Sequence, residues 1–342
     1  MRAFTNILLV FLFTACTSVP DERMTSYVDF PETRELTART LSLDSALFRY
    51  PYRVRVQDDK AVVLDLHGTE YFFHAFHYPG FHYLSSFGKR GDAPEEMLSA
   101  ENLRWNGNFL WTLDSNKSEL TRLGFASSGD SLLRLEAVSL DEELLRALDF
   151  VQYDDSTFII PDYSGDGRFC LVSRQGKLLR KIGTVPTANE DALKSARPAL
   201  AQAWRSFIDY NPRNGVLAAA TQLGEVLEIY NLKDSTHIVR IGPNGEPEFQ
   251  ISQGYGIPIG IMGFSDIQVT DSAIYVVFQG RAFKDIMQKA QQGINLPDGG
   301  QNIYVFSLEG KPLRKYVLDH YIHGISVDEQ KSIIIATDVN KD

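Results

Sequence analysis

Four of the seven histidines of this chain crowd into "HGTEYFFHAFHYPGFH", as His67, His74, His77 and His82. Neutral imidazole is the commonest side-chain ligand for transition metals. The spacing works against a simple metal centre. His74 and His77 are three residues apart, so on one strand they face opposite sides. His77 and His82 flank "YPG" and can meet across a hairpin, but zinc takes three or four ligands with a supporting shell. The plainer reading is an aromatic hairpin whose histidines fill space and hydrogen-bond among Tyr71, Phe72, Phe73, Phe76, Tyr78, Phe81 and Tyr83. His320 and His323 stand near the end of the chain, where they can reach a channel mouth. No metal and no cofactor is expected from these patterns.

Acid–base chemistry would need carboxylates that converge. Asp65, Asp114, Asp162 and Asp338 each follow an apolar run, where Asp commonly closes a turn. "DYSGDGRF" (162–169) has the Asp and Gly of a calcium loop but neither the closing Glu nor the flanking helices. The glycine-rich stretches lack the Lys-Ser/Thr pair and long helix of a phosphate loop. No nucleophile elbow, zincin helix or dinucleotide fingerprint is present. Cys170 lies in an apolar alternation with Phe169 and Leu171, which marks a core residue.

The elements that must position these residues are short strands. "QNIYVFSLEGKPLRKYVLD" and "NGVLAAATQLGEVLEIYNLKDSTHIVRIG" read as strand, turn, strand. First strands begin near Arg53, Glu101, Leu148, Arg205, Phe264 and Ile322, a period of about 47 to 59 residues. Four-stranded antiparallel sheets at that period stack into a six-bladed β-propeller, an all-β fold. The last unit has room for two strands only. The segment from Ser26 to Asp44 supplies two more, so the N-terminal strands are expected to complete the last blade and close the ring. Antiparallel order also sorts the connections. Short turns such as "QDDK", "NPRN" and "DEQ" fall on one face. The long ones, 88–100, 183–204, 242–263 and 280–300, fall on the other, and long loops in a compact domain are usually functional. A short helix is expected over 281–292, with Phe283, Ile286 and Met287 as its apolar stripe.

The opening "MRAFTNILLVFLFTAC" has a basic residue, an apolar core too short to span a membrane, and small residues before Cys16. Residues 1–15 read as a signal peptide. Phe13-Thr14-Ala15-Cys16 resembles a lipobox, which implies lipid on Cys16, a tether over 16–25 and a single propeller domain over 26–342. Asp21 and Glu22 resemble the acidic signal that sends some Bacteroidota lipoproteins to the cell surface. "FGKRGDAPEE", "VDFPETRELTARTLSLDS" and "GISVDEQKSIIIATD" resemble the six-bladed TolB-like propeller lipoproteins of Bacteroidota. In those proteins the crossover reads Gly-Lys-Gly-Pro-Gly-Glu-Phe; here Gly88, Lys89, Pro94 and Glu95 keep the pattern and the residues between depart from it.

A net charge of −10 argues against a nucleic-acid partner. The expected function is a lipid-anchored binding scaffold in the cell envelope, held to the outer membrane through Cys16, that takes a protein, peptide or glycan on its long-loop face. Contact residues expected there are Lys89, Arg90, Trp204, Tyr255, Arg281 and Lys284. The alternative is a hydrolase or lyase with a channel-centred, metal-dependent site.

Overall fold

A strand such as Val216–Thr221 ("VLAAAT") is buried along its whole length. That requires a partner on each face, and stacked blades provide it. The computed structural model describes residues 24–41, 43 and 48–340. The segment read as a signal peptide, and Cys16, lie outside them.

Five antiparallel blades have four strands each. Blade one is Pro51–Gln57, Lys60–Asp65, Tyr71–His77 and His82–Lys89. Blade two is Asn102–Asn106, Phe109–Asp114, Glu119–Phe125 and Leu132–Ser139. Blade three is Val151–Asp154, Thr157–Pro161, Phe169–Ser173 and Leu178–Ile182. Blade four is Ser206–Asn211, Val216–Thr221, Val226–Asn231 and Thr236–Ile241. Blade five is Ile261–Val269, Ala273–Ala282, Gly300–Ser307 and Pro312–Ile322. Among the described residues, blade six has two strands, Ile325–Asp328 and Ile333–Ala336.

Each blade interface has its own apolar core. Phe73, Phe87 and Leu110 join blades one and two; Trp111, Phe158 and Cys170 join two and three. Ile159, Phe169 and Leu217 join three and four; Ile229, Phe264 and Phe306 join four and five. Val277, Ile303 and Ile325 join five and six. Val54, Val63 and Phe76, with Ile335, close the ring between six and one.

The expected role of the N-terminal strands is corrected. They do not complete blade six. Met24–Ser26 pairs in parallel with the outer strand of blade four, and Thr33–Leu36 with the outer strand of blade five. Met24 and Thr25, read as tether, are thus already in the sheet. The physical reason lies between them. Tyr27 and Phe30 are buried and wedge their rings against Tyr304 and Phe306, where blades four and five splay apart. The flanking polar segments Met24–Ser26 and Thr33–Leu36 then lie on outer edges whose backbone groups would otherwise be unpaired. Blade six is held from inside the ring instead, by contacts described below.

Phe30→Ala empties this wedge and is expected to cost about 3 kcal/mol of unfolding free energy, read by chemical denaturation. A change below about 0.5 kcal/mol, the size of an ordinary surface substitution, would show that the strap does not hold the interface.

Candidate functional site

The first strand of each blade lines the axis, and there the chain places charge. Arg53 and Arg55 are two apart on the first strand of blade one, and both reach Asp266 of blade five. Arg55 Nη1 donates to Asp266 Oδ2 at 2.9 Å and to the Ile325 carbonyl of blade six at 2.6 Å. Asp266 also accepts the Ile325 N–H at 2.8 Å. Arg104 of blade two donates to Asp209 of blade four at 2.8 Å and to Asp149, at the entry to blade three, at 3.1 Å. Asp149 accepts the Ile208 N–H, and Asp209 the Val269 N–H. Burial pushes the Asp266 carboxyl up, but the two guanidiniums overcome it and hold it well below the usual range. Burial wins at Asp209, which is raised.

A second buried pair joins blades three and four. Arg168 Nε and Nη2 donate to Glu228 Oε1 at 2.9 and 2.6 Å, and Tyr230 Oη donates to Oε2 at 2.6 Å. Burial alone would raise Glu228; Arg168, His237 and Tyr230 bring it down to about 2. The described arginines and aspartates of the axis are thus paired with one another.

The four aspartates ending second strands serve structure. Asp65 accepts the N–H groups of Arg49 and Tyr50, and Asp114 those of Leu98 and Lys117. Asp162 accepts from Ser164 and Gly167, and Asp338 from Asn340. The first two clamp the crossover entering a blade onto that blade's second strand. Cys170 is buried and its thiol is pushed up to about 12, chiefly by burial, so it is no nucleophile. His77 and His82 do pair across their hairpin, as exposed residues. His323 is buried against Tyr52, ring centres 4.2 Å apart, and is held down to about 4 by burial and then by Arg53. Among the described residues no three His, Cys, Asp or Glu side chains are placed to hold a metal ion.

The long-loop face is built as its lengths imply. The 183–204 crossover carries helices α1 (Glu190–Ser195) and α2 (Arg197–Ala203). The next forms a hairpin, Phe249–Ser252 with Tyr255–Pro258. Helix α3 (Phe283–Gln291) follows the second strand of blade five, tied to the hairpin's end by the Phe283 N–H on the Gly260 carbonyl.

The expected contact residues divide. Tyr255 is 60% exposed, and Lys284 is exposed. Lys89 is exposed but paired with Glu96 at 2.7 Å. One is corrected, and two arginines are hydrogen-bonded to loop carbonyls. Trp204 is fully buried beside Leu200 and Val226, because α2 folds its apolar face down onto blade four. Arg90 donates to the Gly68 and Leu66 carbonyls and covers the Phe72 ring. Arg281 donates to the Pro297 and Gly299 carbonyls. Arg90 nonetheless stays exposed and Arg281 half-buried, so both still lie at the surface of that face.

Sequence reading missed the apolar residues around Tyr255. Ile251, Ile257 and Ile259 on the hairpin, and Met287 on α3, are 45% to 62% exposed, and no α3 residue is buried. The signal was the alternation in "FQISQGYGIP", whose register puts Tyr255 and Ile257 on one face of the hairpin and Phe249 and Ile251 on the other. The axial arginines were also missed, although their i, i+2 spacing in "RVRV" was visible.

The Glu228 carboxyl contributes stability above its unfolded value near 4.5 and loses it as pH falls toward about 2. Glu228→Gln is expected to lower stability at neutral pH and to flatten that acid limb in urea titrations. An unchanged limb would mean that the pair does not titrate with folding.

A family profile described as TolB-like 6-blade propeller-like matches residues 29–330. No match is found among curated proteins. Among solved structures, a member of the duf4221 family from Bacteroides vulgatus is similar with a TM-score of 0.53 at 10% identity, covering 87% of this chain and 90% of that one. An auxiliary nutrient binding protein from Bacteroides ovatus gives 0.52 at 9% identity, over 86% and 68%. A streptogramin B lyase gives 0.51 at 10% identity, over 87% and 93%. At such identities the likeness is one of fold.

Proposed function

The chain belongs to the TolB-like six-bladed propeller family, and from that premise we propose that it is an exported, lipid-anchored module that binds a protein or peptide on its long-loop face. The observation that carries this is the exposed pair Tyr255 and Ile257, which share one face of the hairpin, with Ile259 and Met287 also exposed on the long-loop side. Large apolar side chains exposed on a loop-rich face suit an interaction site, and an aromatic with Met suits a protein partner better than a glycan alone. The solved neighbours include one named as a nutrient binding protein and one as a lyase, so fold does not choose between binding and catalysis. The closed, charge-matched axis argues for binding.

Chain direction supports the anchoring. The outer strand of blade four runs toward the long-loop face, and Met24–Ser26 runs parallel to it. The described chain therefore enters from the short-turn side. A lipid on Cys16, eight residues before Met24, reaches at most about 28 Å. That arrangement turns the short-turn face to the membrane and presents the long-loop face outward. No described helix is long and apolar enough to cross a membrane.

Two measurements test this reading. A photo-crosslinking residue placed at Tyr255 or Met287 in the intact cell envelope is expected to give discrete adducts. One at Asp155, on the short-turn face, is expected to give none of the same mass. Identical patterns from both faces would reject the long-loop face as the docking surface. Separately, Cys16→Ser is expected to abolish incorporation of a fatty-acid label and release the protein from membranes; retained label would place the lipid elsewhere.

A further inference from the structure

The outer half of blade one holds a group of side chains that the binding face does not use. A cleft of about 550 Å³ opens there, lined by Arg49, Glu70, Tyr71, His74, Tyr83 and Ser86. That volume is in the range of small-molecule sites. Ser86 Oγ lies 2.7 Å from His74 Nδ1 and 2.9 Å from Tyr83 Oη. The other ring nitrogen, Nε2, is buried without a hydrogen-bond partner, and Asp65 Oδ2 stands 4.0 Å from it. His74 is 4% exposed and Asp65 is fully buried.

Three features separate this from a histidine that only fills space. A packed histidine normally satisfies both ring nitrogens; this one bonds a hydroxyl at a cleft and leaves the other nitrogen facing a carboxylate. Its plane is fixed by Phe48, whose ring meets it edge-on at 5.2 Å. Burial lowers its proton affinity more than Asp65 raises it, so the imidazole is in its basic form at neutral pH. A hydroxyl and a neutral imidazole within hydrogen-bond reach, with a third group behind the base, are the parts of an activated nucleophile. Such contacts tighten when substrate binds.

We propose that Ser86 and His74 form a nucleophile–base pair and that this cleft hydrolyses small carboxylic esters. With Nδ1 accepting the Ser86 O–H, the proton on Nε2 points to Asp65, whose charge favours the imidazolium that forms. Ser86 Oγ bonds to the ester carbonyl carbon while its proton passes to His74 Nδ1. The tetrahedral adduct collapses, the ester C–O bond breaks, and the leaving alcohol takes the proton from His74. Water then attacks the acyl-serine. His74 takes the water's proton and returns it to Ser86 Oγ as the carboxylic acid leaves. Arg49 adds a cation to the same cleft, which suits an ester that also carries an anionic group.

The test is active-site labelling of the full chain with an alkyl fluorophosphonate, in which the serine oxygen displaces fluoride. The expected result is one adduct, mapped by mass to Ser86. It is lost in Ser86→Ala, kept in Ser85→Ala, and at least about 100-fold slower in His74→Gln, the size of a lost general base. The wild-type rate is expected to fall as pH drops into the range that protonates His74. No adduct at excess probe, an adduct on Tyr83, or an unaltered rate in His74→Gln would each overturn the proposal. The wild-type labelling needs no variant to fold, and the binding reading of the long-loop face stands or falls separately.

Discussion

The structure depends on the Arg–Asp network along its axis. Arg53, Arg55 and Arg104 meet Asp149, Asp209 and Asp266, all charges withdrawn from water. Their bonds run from blade one to five and six, from two to three and four, from four to five, and from five to six. Every blade is thus tied to another through the middle of the disc. Burying charge is costly, and such a pair can be no better than a well-packed apolar substitute. Its effect here is mutual dependence: removing one partner strands a buried charge, which costs about 3–5 kcal/mol. Blade six shows why that matters. With two described strands it has a small apolar core, and its inner strand is fixed at Ile325 by both Arg55 and Asp266.

Filling the axis moves function outward. The side chains that could have served a channel-centred reaction are committed to one another, and the second-strand aspartates are committed to backbone N–H groups. What remains for recognition is the rim. The long connections supply it on one face, and the course of the N-terminal strand decides which way that face points. The glycines of the crossovers serve the same layout. At Gly88, with φ of 66°, an added Cβ would stand 2.6 Å from the Phe73 ring, so the first crossover leaves the blade pressed onto its core.

Much of this was legible in the residues. The blade phase was readable because strands buried on both faces and their turns repeat at a fixed period. The segregation of long loops followed from antiparallel order alone. The partner of the N-terminal strands was not readable, because parallel edge pairing is made by backbone atoms that every sequence shares. Only Tyr27 and Phe30, two aromatics in a polar stretch, hinted that the segment had a wedge to fill. Trp204 misled for a related reason: an aromatic in a long loop reads as a contact until the helix carrying it is seen to fold inward. The axial arginines were passed over. An i, i+2 pair of charges on a strand suggests a solvent face, but at a propeller axis both faces of the first strand are enclosed.

The N-terminal strap also explains why blade one is free to hold a cleft. The outer edges of blades four and five are covered by Met24–Ser26 and Thr33–Leu36. Blades two and three have no such cover among the described residues and carry charge on their outer strands instead, "LLRLEAVS" with Arg134 and Glu136, and "LLRKI" with Arg180 and Lys181. Charge is a usual defence of an open edge. The outer strand of blade one, "HYLSSFGK", has no strap among the described residues and no Asp, Glu, Lys or Arg before Lys89. It offers Tyr83 and Ser86 to solvent beside a buried imidazole. An uncharged, uncovered edge risks pairing with another chain. The irregular register at Leu84, where Ala75 faces Ser85 and Phe76 faces Tyr83, breaks the regularity such pairing would need. The outer pairs of blades two and three have irregular register and charge together, whereas blade one relies on the irregularity alone and so keeps an uncharged outer strand beside the cleft.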